Sequence, residues 1–467
     1  VTDTPWQRDA CSLVDAFRSR ERSPAEELQA TLAAVARSNL NAFSFLDDER
    51  ALVAAAARAN VELPFGGVPI GVKELDHVSG WPNSSASVPL KDRKATYTST
   101  MVERLTEAGG AIRIGLTTAS EFGGVNFTHT ALNGVTRNPW DRARTPGGSS
   151  GGTAAAVSGG LLTLGTAGDG GGSIRIPAGF CGLVGLKVTR GRIPRGPHAE
   201  LGNFTTVIGT CSRSVRDTAR WLDVSNGFDP RDPFSLPRVD GWEEALGTLG
   251  DSLRGKTVAV VDDWGGAAVA ASTLTIVHDI ADALIESAKL RRVDKIDTSL
   301  PKMGLAWSLS GAIGIRAELG DAWPDCADDL TPEMRSGLNF AEGRYDLEAR
   351  LKIEERRVQL NEAMARVFDH VDFVIAASNP DVAFAAEGPM PRTFGDVEAG
   401  AGNNGRLTFP ANLYGCPAVS VPGGTVDGLP VGVQIVAPFF REDLLLDLAL
   451  MVERTRPWPL VAPGSPL

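Results

Sequence analysis

Two glycine-rich stretches decide the reading of this chain: Thr145-Pro146-Gly147-Gly148-Ser149-Ser150-Gly151-Gly152-Thr153 and Gly168-Asp169-Gly170-Gly171-Gly172-Ser173-Ile174-Arg175-Ile176-Pro177. Each sets a serine among glycines and leads into a segment that reads as a helix. Glycine lets a backbone approach a ligand closely or take a positive φ, so successive N–H groups can converge on one anionic point. Phosphate binding and oxyanion stabilisation are two uses of that geometry. The first stretch has the Gly-x4-Gly spacing of a phosphate loop but carries Thr153 where lysine is required, which weakens the phosphate reading. Gly147 to Gly151 also has the Gly-x-Ser-x-Gly spacing of a nucleophile elbow, which must follow a strand directly; here Asn138 to Pro146 reads as loop. From Thr145 to Gly168 there is no charged residue, yet the large apolar members are only Val157, Leu161, Leu162 and Leu164. That falls short of the about 20 predominantly apolar residues that cross a bilayer, so the stretch reads as buried core.

Outward from these loops the pattern alternates between strand and helix. Upstream, Ser23-Pro24-Ala25-Glu26 combines a capping box with proline at the first helical turn, Val68 to Val72 reads as a short strand, Thr98 to Ala108 as a helix and Ala111 to Leu116 as a strand. Downstream strands are expected at Thr257 to Val261, Phe373 to Ala377, Ala418 to Val421 and Val431 to Val436, with a helix over Asp346 to Phe368. Strands alternating with helices imply α/β packing around a largely buried sheet. Asn226 to Gly255, broken by prolines and glycines, is either a domain boundary or a long surface connection.

Composition bounds the function. The chain has 467 residues, 43% hydrophobic and 22% charged, and a net charge of -11. Its pI near 5.1 speaks against nucleic-acid or anionic-membrane partners, which need clustered positive charge. Five scattered cysteines give neither a disulfide framework nor a Cys-x-x-Cys pair, and five histidines give no zinc spacing, so no metal is expected. The N-terminal residues lack the basic and apolar segments of a signal peptide, and a cytoplasmic location is the expectation.

Taken together, Gly66 to Leu75 around Lys73, the Gly147 to Gly152 loop, Asp169 to Pro177, Phe180 to Lys187 and Gly428 to Gln434 resemble the amidase signature family in type and order, over most of the chain. The resemblance implies a single α/β/α sandwich around a large mixed β-sheet. The whole of 1–467 is then one domain: N-terminal helices to about 60, a signature core over 61–225, a connection over 226–255, and the remainder of the same domain over 256–467. It implies a Ser-Ser-Lys triad with Ser173 as nucleophile, Ser149 as bridging serine and Lys73 as base. It also implies a cis peptide at Gly148–Ser149. The backbone N–H groups of Gly170, Gly171, Gly172 and Ser173 are the implied oxyanion hole, with Ser150, Asp169 and Arg175 in support. A serine hydroxyl needs a base within hydrogen-bond reach to attack an amide, and no histidine lies in these blocks. Lys73 taken alone reads as a solvated strand-end lysine, and Asp169 with Arg175 as a structural ion pair; only the combined pattern raises them.

The expected activity is hydrolysis of a carboxylic amide to acid plus ammonia or amine through an acyl-enzyme, without a cofactor. The alternative is the A subunit of a tRNA-dependent amidotransferase, a glutaminase feeding a partner. Asn203 to Gly209 lacks the Asp-Gln pair usual in those subunits, which argues for the first reading. The expected partner is accordingly a small-molecule amide, with no nucleic acid and no membrane, and a homodimer is left open. Trp81, Phe127 and Trp307 are candidates for an aromatic substrate wall or for core.

Overall fold

Five consecutive buried residues, Pro69–Lys73, are what a strand covered on both faces requires, and in the computed structural model, which describes residues 4–198 and 204–466, this run lies within an eleven-stranded sheet. The strands in chain order are β1 (Phe43–Leu46), β2 (Pro69–Lys73), β3 (Ile112–Thr117), β4 (Leu164–Asp169), β5 (Val184–Lys187), β6 (Val207–Ser212), β7 (Thr257–Val260), β8 (Arg291–Arg292), β9 (Phe373–Ala377), β10 (Ala418–Val426) and β11 (Leu429–Val436). Their spatial order is β1-β3-β2-β4-β6-β5-β10-β11-β9-β7-β8. The β3-β2-β4 and β9-β7-β8 groups are parallel and the centre is antiparallel, so the sheet is mixed. With helices packed against it, the expected α/β architecture is observed.

The helices that matter below are α1 (Pro24–Arg37), α2 (Gly151–Ser158), α3 (Arg175–Cys181), α4 (Gly304–Leu319), α5 (Pro332–Ala341), α6 (Leu347–His370) and α7 (Phe409–Tyr414). α1 begins as its sequence dictates: Ser23 Oγ accepts from the Glu26 N–H at 3.2 Å while Glu26 Oε2 accepts from the Ser23 N–H at 2.7 Å. α2 has all eight residues buried, and its small side chains allow this; a Cβ on Gly152 would lie 2.3 Å from the Thr118 nitrogen. The helix therefore sits directly against the end of β3.

All six expected strands and the helices over 98–108 and 346–368 are present, Phe373–Ala377 with the expected ends and the others with ends shifted by a few residues. Strands β1, β4, β5, β6 and β8 lay outside the sequence expectation, β1 falling within the first sixty residues read as helices. Leu-Gly-Thr-Ala-Gly-Asp in β4 has neither alternation nor β-branched enrichment, and it is a strand because β2 and β6 pair with it on either side. Across the 226–255 connection, chain on both sides joins the same sheet, β5 pairing with β10 through Gly185 and Ser420. Arg104 ties the start of that connection down by donating to the carbonyls of Ser225, Asn226 and Gly227. No helix among the described residues is long and apolar enough to cross a membrane.

Candidate active site

The C-terminal end of β2 presents Lys73, the loop before α2 presents Ser149 and Ser150, and the loop between β4 and α3 presents Ser173. Lys73 lies in the sheet, and its Nζ donates to Ser149 Oγ and to Ser150 Oγ, each at 2.8 Å. The Gly148–Ser149 peptide is cis, as the resemblance implied. Ser150 precedes α2 without capping it. Its hydroxyl is turned to Lys73 and to Gly168, donating to the Gly168 carbonyl at 3.3 Å.

Desolvation holds Lys73 down to about 8 from its ordinary 10.5, with Asp76, Cys211, Asp169 and Glu74 opposing in that order. Glu74 points away from the serines, accepting from the Ala119 N–H at 2.5 Å and from Asn133 Nδ2 at 2.9 Å, and burial pushes its own carboxyl up to about 7. Asp76 was not anticipated. Its carboxylate accepts from Thr166 Oγ1 at 2.6 Å, and that same oxygen accepts from the Lys73 N–H at 2.7 Å. Asp76 sits in the turn after β2, its N–H donating to the Lys73 carbonyl at 2.8 Å, and Thr166 on β4 holds its carboxylate.

The glycine loop carrying Ser173 is fixed from beneath by a buried ion pair. Arg175 donates through Nε to Asp169 Oδ2 at 3.0 Å and through Nη2 to Oδ1 at 3.2 Å, and both side chains are fully buried. Burial alone would raise the Asp169 carboxyl, but the Arg175 guanidinium, the Asn412 hydrogen bond and the Lys187 charge together outweigh it and bring it to about 2. Asn412 on α7 donates to Asp169 Oδ1 at 2.8 Å and accepts from Arg175, while Gln434 on β11 accepts from Arg175 Nη1 at 3.1 Å. These two residues lie far from the loop in sequence; only Gln434 belongs to a stretch that carries the family resemblance.

Asp169 Oδ1 also accepts from the Gly172 N–H at 2.6 Å. Of the four amides expected to form an oxyanion hole, that of Gly172 is therefore already paired. Among the described residues the amides of Gly170, Gly171 and Ser173 have no hydrogen-bond partner. Thr408 Oγ1 donates to the Gly171 carbonyl at 2.6 Å, and a Cβ on Gly171 would lie 2.6 Å from Trp307 Cζ2. The loop is thus clamped between Thr408 and the Trp307 indole.

Of the three aromatic candidates only Trp307 reaches this loop. Trp81 packs in a small core cluster with Val72, Val78, Val102 and Leu116, and Phe127 is buried against Phe384. No three His, Cys, Asp or Glu side chains among the described residues are grouped to hold a metal ion.

The sequence matches the amidase family over residues 26–446. The glutamyl-tRNA(Gln) amidotransferase A subunit from Methanococcoides burtonii is 32% identical, covering 97% of this chain and 98% of the relative. The protein so named from Methylococcus capsulatus is 31% identical over 98% and 99%. Among solved structures, a bacterial aryl acylamidase of the amidase signature family superposes with a TM-score of 0.89 at 26% identity, covering 99% of both chains. The amidotransferase A subunit from Thermotoga maritima gives 0.77 at 25% identity, covering 98% of this chain and 97% of that one. These relatives overturn the expectation of a small-molecule amide as sole partner with no nucleic acid. Proteins so similar over their whole length are subunits of an enzyme that takes its name from a tRNA.

Proposed function

The chain belongs to the amidase family and is a C–N hydrolase of amidase type, and from that premise we propose that it cleaves a carboxylic amide through Ser173, with Ser149 relaying the proton to Lys73. The observation that carries this reading is the buried Lys73 Nζ at 2.8 Å from Ser149 Oγ, held near neutrality by desolvation. Ser173 Oγ attacks the carbonyl carbon as its proton passes to Ser149, whose own proton passes to neutral Lys73. The tetrahedral oxyanion is stabilised by the free amides of Gly170, Gly171 and Ser173; losing one such donor typically costs about 10²–10³ in rate. Collapse expels the amine, which takes a proton back from Lys73 through Ser149. Water then attacks the acyl ester, the acid leaves, and Ser173 regains its proton.

For the fate of the nitrogen, the curated relatives favour the A subunit of a tRNA-dependent amidotransferase, in which glutamine is the amide and the ammonia passes to a partner. A second reading, hydrolysis by the chain alone, is favoured by Thr205 and Thr206 in the segment where those subunits carry Asp-Gln, and by the closer superposition on the aryl acylamidase.

The test is the purified chain, assayed alone against glutamine and against aliphatic and aryl amides. Glutamine turnover that requires a co-purifying chain supports the first reading, and broad turnover by the chain alone supports the second. A fluorophosphonate adduct should map to the peptide containing Ser173. An adduct on Ser149 alone would return the nucleophile to the elbow reading.

A further inference from the structure

Trp307 also lines a cavity of about 340 Å³, together with Arg190, Phe204, Thr205, Arg350 and Arg357. Among the described residues that line it, Glu354 is the one carboxylate, and it is paired with Arg350 on the same face of α6. Three guanidinium groups against one carboxylate leave the cavity with an excess of positive charge.

Arg190 has no ion pair among the described residues. Its Nη2 donates at 3.1 Å to the carbonyls of Asn412 and Leu413, which are neutral acceptors, and its Nε is buried with no hydrogen-bond partner. Arg357 donates to the carbonyls of Phe204 and Leu413. A buried guanidinium N–H without an acceptor is costly, and a half-enclosed cavity in which cations outnumber carboxylates is the arrangement found where an anion is held. Burial and the neighbouring Arg357 charge lower Arg190 to about 10, the direction expected of two cations brought together.

The geometry points to an anion subsite: the Arg190–Arg357 cavity takes a carboxylate or phosphate group, and Trp307 is the wall it shares with the catalytic loop. This rests on the reading of Ser173 as nucleophile only in placing the subsite beside the loop that carries it. The anion is either an arm of the amide substrate or a separate small molecule.

The experiment uses the full chain and two readouts. Calorimetric titration with inorganic phosphate and with succinate measures the subsite without any turnover, and kcat/KM for succinamate against its neutral counterpart butyramide measures it in catalysis. Binding of phosphate or succinate at millimolar concentration is expected. A preference for succinamate that succinate suppresses competitively assigns the anion to the substrate; binding that changes butyramide turnover without such a preference assigns it to a separate ligand.

Arg190→Gln should weaken these effects by roughly 10- to 100-fold, the loss expected for a hydrogen bond to a charged group. Because Arg190 also supports the end of α7, Ser310→Asp, which places a carboxylate in the cavity from α4, is the second variant and should abolish them. No binding of either anion together with equal turnover of the two amides overturns the proposal. So do effects that persist unchanged in Ser310→Asp. Failure of the nucleophile reading looks different: anions would bind while Ser173 took no fluorophosphonate.

Discussion

Lys73 is the residue on which activity and stability pull in opposite directions. In the proposed mechanism catalysis needs its amine neutral, so kcat/KM should rise with pH through about 8 and level off above it. For folding, the unfolded chain holds this proton up to about 10.5 and the folded chain releases it near 8. Below pH 8 the residue therefore costs stability, and the cost shrinks as pH rises toward 10.5; at pH 7 it is ~3 kcal/mol before relaxation. Lys73→Met should abolish amide turnover, remove the acidic limb and raise Tm at pH 7. A variant that kept both turnover and limb would sink the assignment of the base. Asp169 behaves conversely. Its lowered carboxyl gives stability that is complete above the unfolded value near ~3.9 and is lost as pH falls toward about 2. Asp169→Asn leaves Arg175 buried without a counter-charge and should cost about 3–5 kcal/mol in urea unfolding. A cost within experimental error would mean that the pair does not hold the loop.

At the scale of elements, the loop that carries Ser173 packs against a helix remote in sequence. The Trp307 indole on α4 lies so close to Gly171 that an added methyl would meet it at 2.6 Å. Gly171→Ala should therefore displace either the loop or the ring and lower kcat roughly 100-fold, the order expected for a shift of about 1 Å in reacting groups. Trp307→Ala in the Gly171→Ala background should restore part of that loss. If the two substitutions simply add, the contact is not what positions the loop. α5 is held to the same region by Glu121, whose carboxylate accepts from Ser87 Oγ at 2.6 Å and from the Thr331 N–H at 2.8 Å. Met334 on α5 then packs over Gly124.

For the whole molecule, we propose that 1–467 folds as one domain, which the sheet order motivates: β5 lies before the 226–255 connection and β10 after it, yet they are direct neighbours. Limited proteolysis is expected to cut within 226–240, where Phe228, Phe234 and Val239 are exposed, and the two fragments should stay together on size exclusion. Fragments that separate and remain folded would divide the chain into two domains. At this scale the acidic balance misled. A net charge of -11 is a sum over the whole surface and does not report what one face can recognise.

Sequence alone determined the chemistry-bearing blocks and the class of fold. Lys73, Ser149 and Ser173 stand in motifs whose glycines and order are local properties of the chain, and strands such as Phe373–Ala377 announce themselves by a continuous apolar run. Tertiary structure decided the rest. β4 is a strand only because its neighbours complete its hydrogen bonds, and only that pairing lets Thr166 join the Asp76 carboxylate to the Lys73 N–H. Which amides of this loop are left without a partner also had to be read from the fold. The four N–H groups are equivalent in sequence, and the Asp169 carboxylate, held by Arg175 and Asn412, singles out Gly172. Hydrogen bonds between groups distant along the chain leave no periodicity in it, and these are the contacts that separate a motif from a site.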